Sequence, residues 1–137
     1  LLGLISMLVL HFVLPVARII PSPWHCTGAL PVALGGALNL WADGLLKRYG
    51  TEVKPFRDSS TLILEGPYRL TRNPMYLGGL LILAGVGLLL GSLTPFLVVV
   101  VLVWLTIAHF IVPEERDLER QFGERYLEYK RRVRRWI

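Results

Sequence analysis

Between Met75 and Pro113 the chain carries no Asp, Glu, Lys or Arg. Only Gly91-Ser92 interrupts this run. Two apolar blocks joined by two turn residues have room only for an antiparallel helix hairpin. Each block approaches the ~20 residues that a helix needs to cross a bilayer. The same texture recurs upstream, over Leu1–Ile20 and Trp24–Leu46. The chain is 53% hydrophobic and 18% charged, too apolar for a soluble domain of 137 residues. The expected fold is all-α: an integral membrane protein with about four transmembrane helices, near 1–20, 24–46, 75–90 and 93–113. A cytoplasmic motif loop over 47–74 and a C-terminal amphipathic cytoplasmic helix over 114–137 complete a single domain, 1–137.

Local signals refine these spans. Pro15 is expected to bend the first, Arg18 to reach back to the headgroups, and Pro21-Ser22-Pro23 to stop it. Trp24 suits the interface where the second begins. Pro31, Gly35 and Gly36 allow a kink or a close approach of helices. Asn39 and Asp43 share one helix face. Asp43 is either an intramembrane functional group or an interfacial partner of Lys47, four residues on. Gly78, Gly79, Gly85 and Gly87 let the third span pack tightly. The single cysteine, Cys26, excludes an internal disulfide. The chain opens on Leu1 rather than Met, so further residues are expected before it. No basic segment and no small-residue cleavage site mark the opening run as a signal peptide.

The net charge is +5. Its basic residues lie beside the apolar blocks, which points to lipid headgroups and topology rather than nucleic acid. The connection holds Lys47, Arg48, Lys54, Arg57, Arg69 and Arg72, broken by Gly50-Thr51 and Lys54-Pro55, with a short apolar touch-down at Thr61–Leu64. In the tail, Leu118, Phe122, Tyr126, Tyr129, Val133 and Ile137 recur at the helical period. Lys130, Arg131, Arg132, Arg134 and Arg135 close it beside Trp136, a pattern that suits an anionic membrane surface. The positive-inside rule places both charged regions and both termini in the cytoplasm.

The polar chemistry gathers at one end of the hairpin. Gly66-Pro67 is a turn signal, and Asn73 is suited to cap a helix that begins at Pro74. Arg69, Arg72, Asn73 and Tyr76 then stand at the entrance of the third span, and Glu114 and Glu115 at the exit of the fourth. The short turn makes these two ends neighbours. Arginines facing carboxylates can bind a zwitterion such as an amino-acid moiety, or can pair with each other as a latch. Spacing alone favours the latch. His11, His25 and His109 are scattered along apolar segments and read as packing or interface residues. No metal-ligand spacing is present.

The stretch Gly66-Pro67-Tyr68, then Arg72-Asn73-Pro74, Tyr76 and Gly78, resembles the signature of the isoprenylcysteine carboxyl methyltransferase and phospholipid methyltransferase superfamily. Glu114-Glu115, Leu118, Phe122-Gly123, Tyr126 and Tyr129 resemble its second signature, and Val133–Ile137 its basic-aromatic close. The likeness covers roughly residues 35–137. Many members have histidine where this chain has Asn73; asparagine can hydrogen-bond but cannot serve as a base.

The resemblance implies S-adenosyl-L-methionine as methyl donor, with Arg72, Tyr76 and Glu115 as catalytic residues. Gly66, Pro67 and Tyr68 would shape the loop over the donor, and Arg72, Asn73 and Tyr76 would contact it. Glu114 or Glu115 would receive its ammonium or ribose hydroxyls, and Tyr126 and Tyr129 would line the pocket. The adjacent glutamates point about 100° apart, so one of them is expected to face inward. The acceptor implied is a hydrophobic or amphiphilic molecule, an isoprenylcysteine-like carboxylate or a lipid headgroup, reached from the bilayer. Two rivals stand beside this: a membrane scaffold that keeps the fold without turnover, and a small-molecule transporter. Polar residues at one face rather than at midplane speak against transport.

Overall fold

The computed structural model describes residues 2–14, 20–50 and 62–137. The bend expected at Pro15, the headgroup contact of Arg18 and the basic residues Lys54 and Arg57 lie outside the described residues. Among those described, all regular elements are helical: α1 (Leu2–Val13), a 3₁₀ turn (Trp24–Gly28), α2 (Ala29–Arg48), a second 3₁₀ turn (Gly66–Arg69), α3 (Pro74–Leu90), α4 (Thr94–Thr106), a π turn (Ile107–Ile111), α5 (Val112–Phe122) and α6 (Glu124–Arg132). Two stretches are long and apolar enough to cross a membrane, Trp24–Arg48 and Thr94–Phe122. Only 11% of each apolar window is buried inside the protein, so these helices are not the core of a soluble fold. Gly3–Val13 and Pro74–Leu90 are apolar but shorter.

The chain divides into two units. The first comprises Leu1–Ala37 and Gly78–Leu105. Within it α3 touches α2 and the 3₁₀ turn that leads into it backbone to backbone at two glycine pairs. A Cβ placed on Gly35 would lie 2.4 Å from the Gly78 carbonyl oxygen, and one on Gly28 2.3 Å from that of Gly85. The pairs are seven residues apart along both helices and run in opposite directions, so the helices are antiparallel and in register. α1 lies along the hairpin: Met7 is fully buried, and His11 Nδ1 shares a hydrogen bond with Ser92 Oγ at 2.7 Å. Thr94 Oγ1 donates to the Leu14 carbonyl at 2.8 Å. Gly91 takes φ +66° to make the turn, a conformation open to glycine.

The second unit comprises Leu38–Leu77 and Thr106–Ile137. Asp43 pairs with Lys47 at 2.6 Å, the interfacial alternative for that residue. The touch-down is present in its described part: Leu62 and Ile63 are buried. Leu62 packs with Tyr126 and Tyr129, and Leu64, Leu118, Phe122 and Val133 close around them.

Two features depart from the sequence reading. The helix from Thr94 does not stop at Pro113 but runs on to Phe122 through the π turn. Pro113 has no N–H for the regular ladder and its ring crowds the carbonyl four residues back, and the Val112 N–H instead reaches the Ile107 carbonyl. The tail is not one helix over 114–137. Gly123 breaks it at φ +54°, α6 ends at Arg132, and Val133 is extended.

Candidate functional site

All the site residues belong to the second unit. The 3₁₀ turn sets the first wall. Gly66 takes φ +59° and Pro67 is buried, so the chain turns tightly. A Cβ on Gly66 would meet Leu45 at 3.2 Å, which holds this turn against α2. The Tyr68 carbonyl accepts the Tyr129 hydroxyl at 2.6 Å, which ties the turn to α6. Asn73 opens α3, its carbonyl accepting the Leu77 N–H at 2.9 Å. Its side-chain amide points elsewhere, to the tail.

The tail returns across the motif loop. The Arg72 N–H donates to the Arg134 carbonyl at 3.0 Å. Thr71 Oγ1 and Asn73 Nδ2 both donate to the Arg135 carbonyl, at 2.9 and 3.1 Å. Arg135 then forks onto Glu115: Nε to Oε1 at 3.1 Å and Nη2 to Oε2 at 2.8 Å. Arg72 Nη1 stands 3.4 Å from the same Oε1, an ion-pair distance without hydrogen-bond geometry. The Arg72 Nε and Nη1 are buried with no hydrogen-bond partner.

The two glutamates therefore differ. Glu115 is buried, with both oxygens held by Arg135. Burial resists its charge, but the Arg135 hydrogen bonds and the charges of Arg72, Arg135 and Lys130 win, and its carboxyl is held below the usual range. Glu114 is exposed and accepts the Tyr76 hydroxyl at 3.0 Å. Protein crowding its carboxylate lifts it above the usual range, although the Tyr76 hydrogen bond pulls the other way. Tyr76 also packs on Phe110 of the π turn, ring centres 6.4 Å apart.

Tyr68, Arg72, Asn73, Glu114 and Glu115 line one cavity of about 80 Å³, together with Tyr126 and Tyr129. Leu46, Leu62, Ile63 and Leu118 supply its apolar wall. Burial, then the charge of a nearby glutamate, pushes the Tyr68 and Tyr126 phenols up to about 12. Both stay protonated at neutral pH.

Of the residues that the sequence singled out, Gly66 and Pro67 build the turn, and Tyr76 reaches the cavity wall through Glu114. Thr71 and Arg135 were not singled out as site residues. A terminal basic run reads as a membrane patch, and nothing in its local pattern marks one arginine as the partner of a buried carboxylate. That patch is largely answered within the protein: Lys130 pairs with Glu119, Arg131 with Glu124 and Arg132 with Glu128.

Apolar helices of near-membrane length and a buried arginine–carboxylate pocket define a membrane-associated helical protein with a small polar site. A family model described as phospholipid methyltransferase matches residues 23–125. The chain belongs to that family, within the superfamily that also holds isoprenylcysteine methyltransferases. It is 36% identical over 72 residues to protein-S-isoprenylcysteine O-methyltransferase B of Arabidopsis thaliana, which covers 53% of this chain and 36% of that protein. The A form from the same plant is 35% identical over 78 residues, 57% of this chain and 40% of that protein. An uncharacterized protein of Haemophilus influenzae is 41% identical over 63 residues, 46% of this chain and all of that protein. The chain thus spans about two fifths or less of the length of the plant relatives. No solved structure matches it.

Proposed function

We propose that the chain, as one methyltransferase-like domain, transfers a methyl group from S-adenosyl-L-methionine to an amphiphilic acceptor at the cytoplasmic face of a membrane. The observation that carries this reading is the buried Arg72 guanidinium. Its Nε and Nη1 lack hydrogen-bond partners inside a pocket that also holds a second carboxylate, Glu114, bound only by the Tyr76 hydroxyl among the hydrogen bonds described. A buried guanidinium seeks an anion, and an exposed carboxylate attracts a cation. Together they suit the carboxylate and ammonium of an amino-acid moiety.

The donor chemistry therefore fits the residues present, with Arg72 for the carboxylate, Glu114 for the ammonium, and Tyr68 and Tyr126 as walls. When bound, S-adenosyl-L-methionine supplies a methyl group activated by its attachment to a positively charged sulfur. The chain contributes binding, orientation and exclusion of water. The cavity of about 80 Å³ is smaller than the ~300–1,000 Å³ of pockets that bury drug-sized ligands. It takes the amino-acid end, and a nucleoside must widen it.

The acceptor favoured is a carboxylate. An amine must lose a proton before it attacks, and the groups lining the pocket are poorly placed to take it: Asn73 is not basic, Tyr68 and Tyr126 stay protonated, Glu115 is held by arginine, and Glu114 accepts the Tyr76 hydroxyl and is assigned to the donor's ammonium. A carboxylate needs no base. The names of the plant relatives, which are O-methyltransferases of isoprenylcysteine, support the same choice. The small cavity favours one rival, a scaffold that keeps this fold without turnover.

Calorimetric titration of the detergent-solubilised protein with S-adenosyl-L-methionine separates them. Saturable binding is expected, weakened about tenfold or more by Arg72→Ala or Glu114→Gln, since hydrogen bonds to charged groups are worth ~1.5–3 kcal/mol. Absence of binding by the wild type supports the scaffold. With a methyl-labelled donor and a membrane lipid extract, a product that releases its label as methanol in alkali identifies an ester. An alkali-stable product would overturn the carboxylate choice.

A further inference from the structure

Arg135 is tied down at both of its ends. Its carbonyl is clasped by Thr71 and Asn73, and its guanidinium forks onto both oxygens of Glu115. The consequence falls on Arg72. This second arginine reaches only ion-pair distance from Glu115, at 3.4 Å, and keeps two buried nitrogens, Nε and Nη1, without hydrogen-bond partners although its side chain is only 9% exposed. Buried guanidinium N–H groups left without hydrogen bonds are costly, and the nearest carboxylate would satisfy them in the same fork. It does not, because Arg135 already holds the bidentate fork across the two oxygens, one hydrogen bond to each, and Arg72 is left at ion-pair distance from one of them. Two arginines against one buried glutamate leave one positive charge over, which an incoming anion can neutralise.

We propose that Arg135 is a positioning residue: it keeps Glu115 from collapsing onto Arg72 and so preserves the N–H groups of Arg72 as a carboxylate-binding site for the methyl donor. Thr71 and Asn73 serve the same end, by fixing the backbone from which Arg135 reaches. The assignment of the anion to the donor rests on the function proposed above; the competition between the two arginines does not.

The test uses the full chain in detergent and two probes, S-adenosylhomocysteine, which carries the amino-acid carboxylate, and 5′-methylthioadenosine, which lacks it. Arg135→Gln keeps the backbone clasp and removes the fork. It is expected to weaken S-adenosylhomocysteine about 10- to 100-fold and to leave 5′-methylthioadenosine within about twofold. The double variant Arg135→Gln with Glu115→Gln removes the competitor as well, and is expected to recover most of the lost affinity. A merely structural role predicts the opposite: both probes weaken together, and the double variant is worse than the single one. Either result overturns the proposal. The Nε–H resonance of Arg72, assigned by its loss in Arg72→Lys, reads the competition with no donor present. It is expected to shift in Arg135→Gln and return in the double variant; an unmoved resonance overturns the proposal. Should the wild type bind neither probe while the resonance behaves as expected, the donor reading falls and the positioning role stands. If Arg135→Gln does not fold, Arg135→Lys, which keeps the charge without the fork, is expected to give an intermediate loss, and an unchanged affinity overturns the proposal.

Discussion

Asn73 stands where the resemblance puts histidine in many members of the superfamily, and its surroundings tie it to the tail. Its amide donates to the Arg135 carbonyl at 3.1 Å and the residue is buried. The interaction needs a donor, not a proton acceptor. Histidine can donate a ring N–H to the same carbonyl, whereas alanine cannot. Asn73→Ala is therefore expected to cost about 1–3 kcal/mol, and Asn73→His distinctly less. Thermal unfolding in mild detergent checks this, and equal losses would remove the clamp from the account. Glu115 carries a pH dependence with a definite sign. Its folded carboxyl is held below the ordinary value, so its contribution is complete above about pH 4.3 and is lost as pH falls through the lower folded value. The wild type should lose stability on acidification below about pH 4 more steeply than Glu115→Gln. Parallel curves would mean that the buried pair adds nothing to the folded state.

At the scale of elements, the antiparallel crossing of α2 and α3 is set by glycines that meet backbone. A Cβ on Gly85 would lie 2.6 Å from the Gly28 carbonyl oxygen and from Val32. Alanine favours helix over glycine by up to about 1 kcal/mol, but a forced clash with backbone costs about 1–3 kcal/mol, so the clash wins. Gly79 lies on the same helix with nothing within 4 Å of its added Cβ. Gly85→Ala is expected to destabilise and Gly79→Ala to be neutral or mildly stabilising, as melting temperatures in one detergent will show. The sequence foretold tight packing of a glycine-rich span. It could not tell Gly85 from Gly79, because the difference lies in what stands opposite. The π turn and the break at Gly123 were equally silent. Pro113 reads as the end of a helix, yet here a rearranged ladder absorbs it and the helix runs on.

Across the whole molecule, large apolar side chains face outward, Phe12, Leu40, Val100 and Trp104 among them. In water such a surface would drive association; in lipid it is the solvent-facing surface. The four-span arrangement with both termini cytoplasmic, which we propose, puts Cys26 on the opposite side. Cys26 is exposed, so an impermeant maleimide should label it in intact cells. A cysteine introduced as Ile137→Cys should need permeabilised ones. The reverse pattern would invert the topology, and with it the side on which the site works.

The amino-acid sequence by itself determined the apolar blocks, the all-helical character and the gathering of arginines, tyrosines and glutamates near one end of a hairpin. These follow from transfer energies and helical periodicity, which accumulate along the chain and need no partner to be read. Only the tertiary structure decided that Glu115 is buried beneath Arg135 while Glu114 meets Tyr76, and that Arg72 is left with N–H groups to spare. Those outcomes depend on which way a helix is rotated past its π turn and on a tail that returns 64 residues later to Thr71. Adjacent glutamates are equivalent in a string of letters. They differ once one of them lies about 100° further round a helix and an arginine from the far end of the chain has taken it.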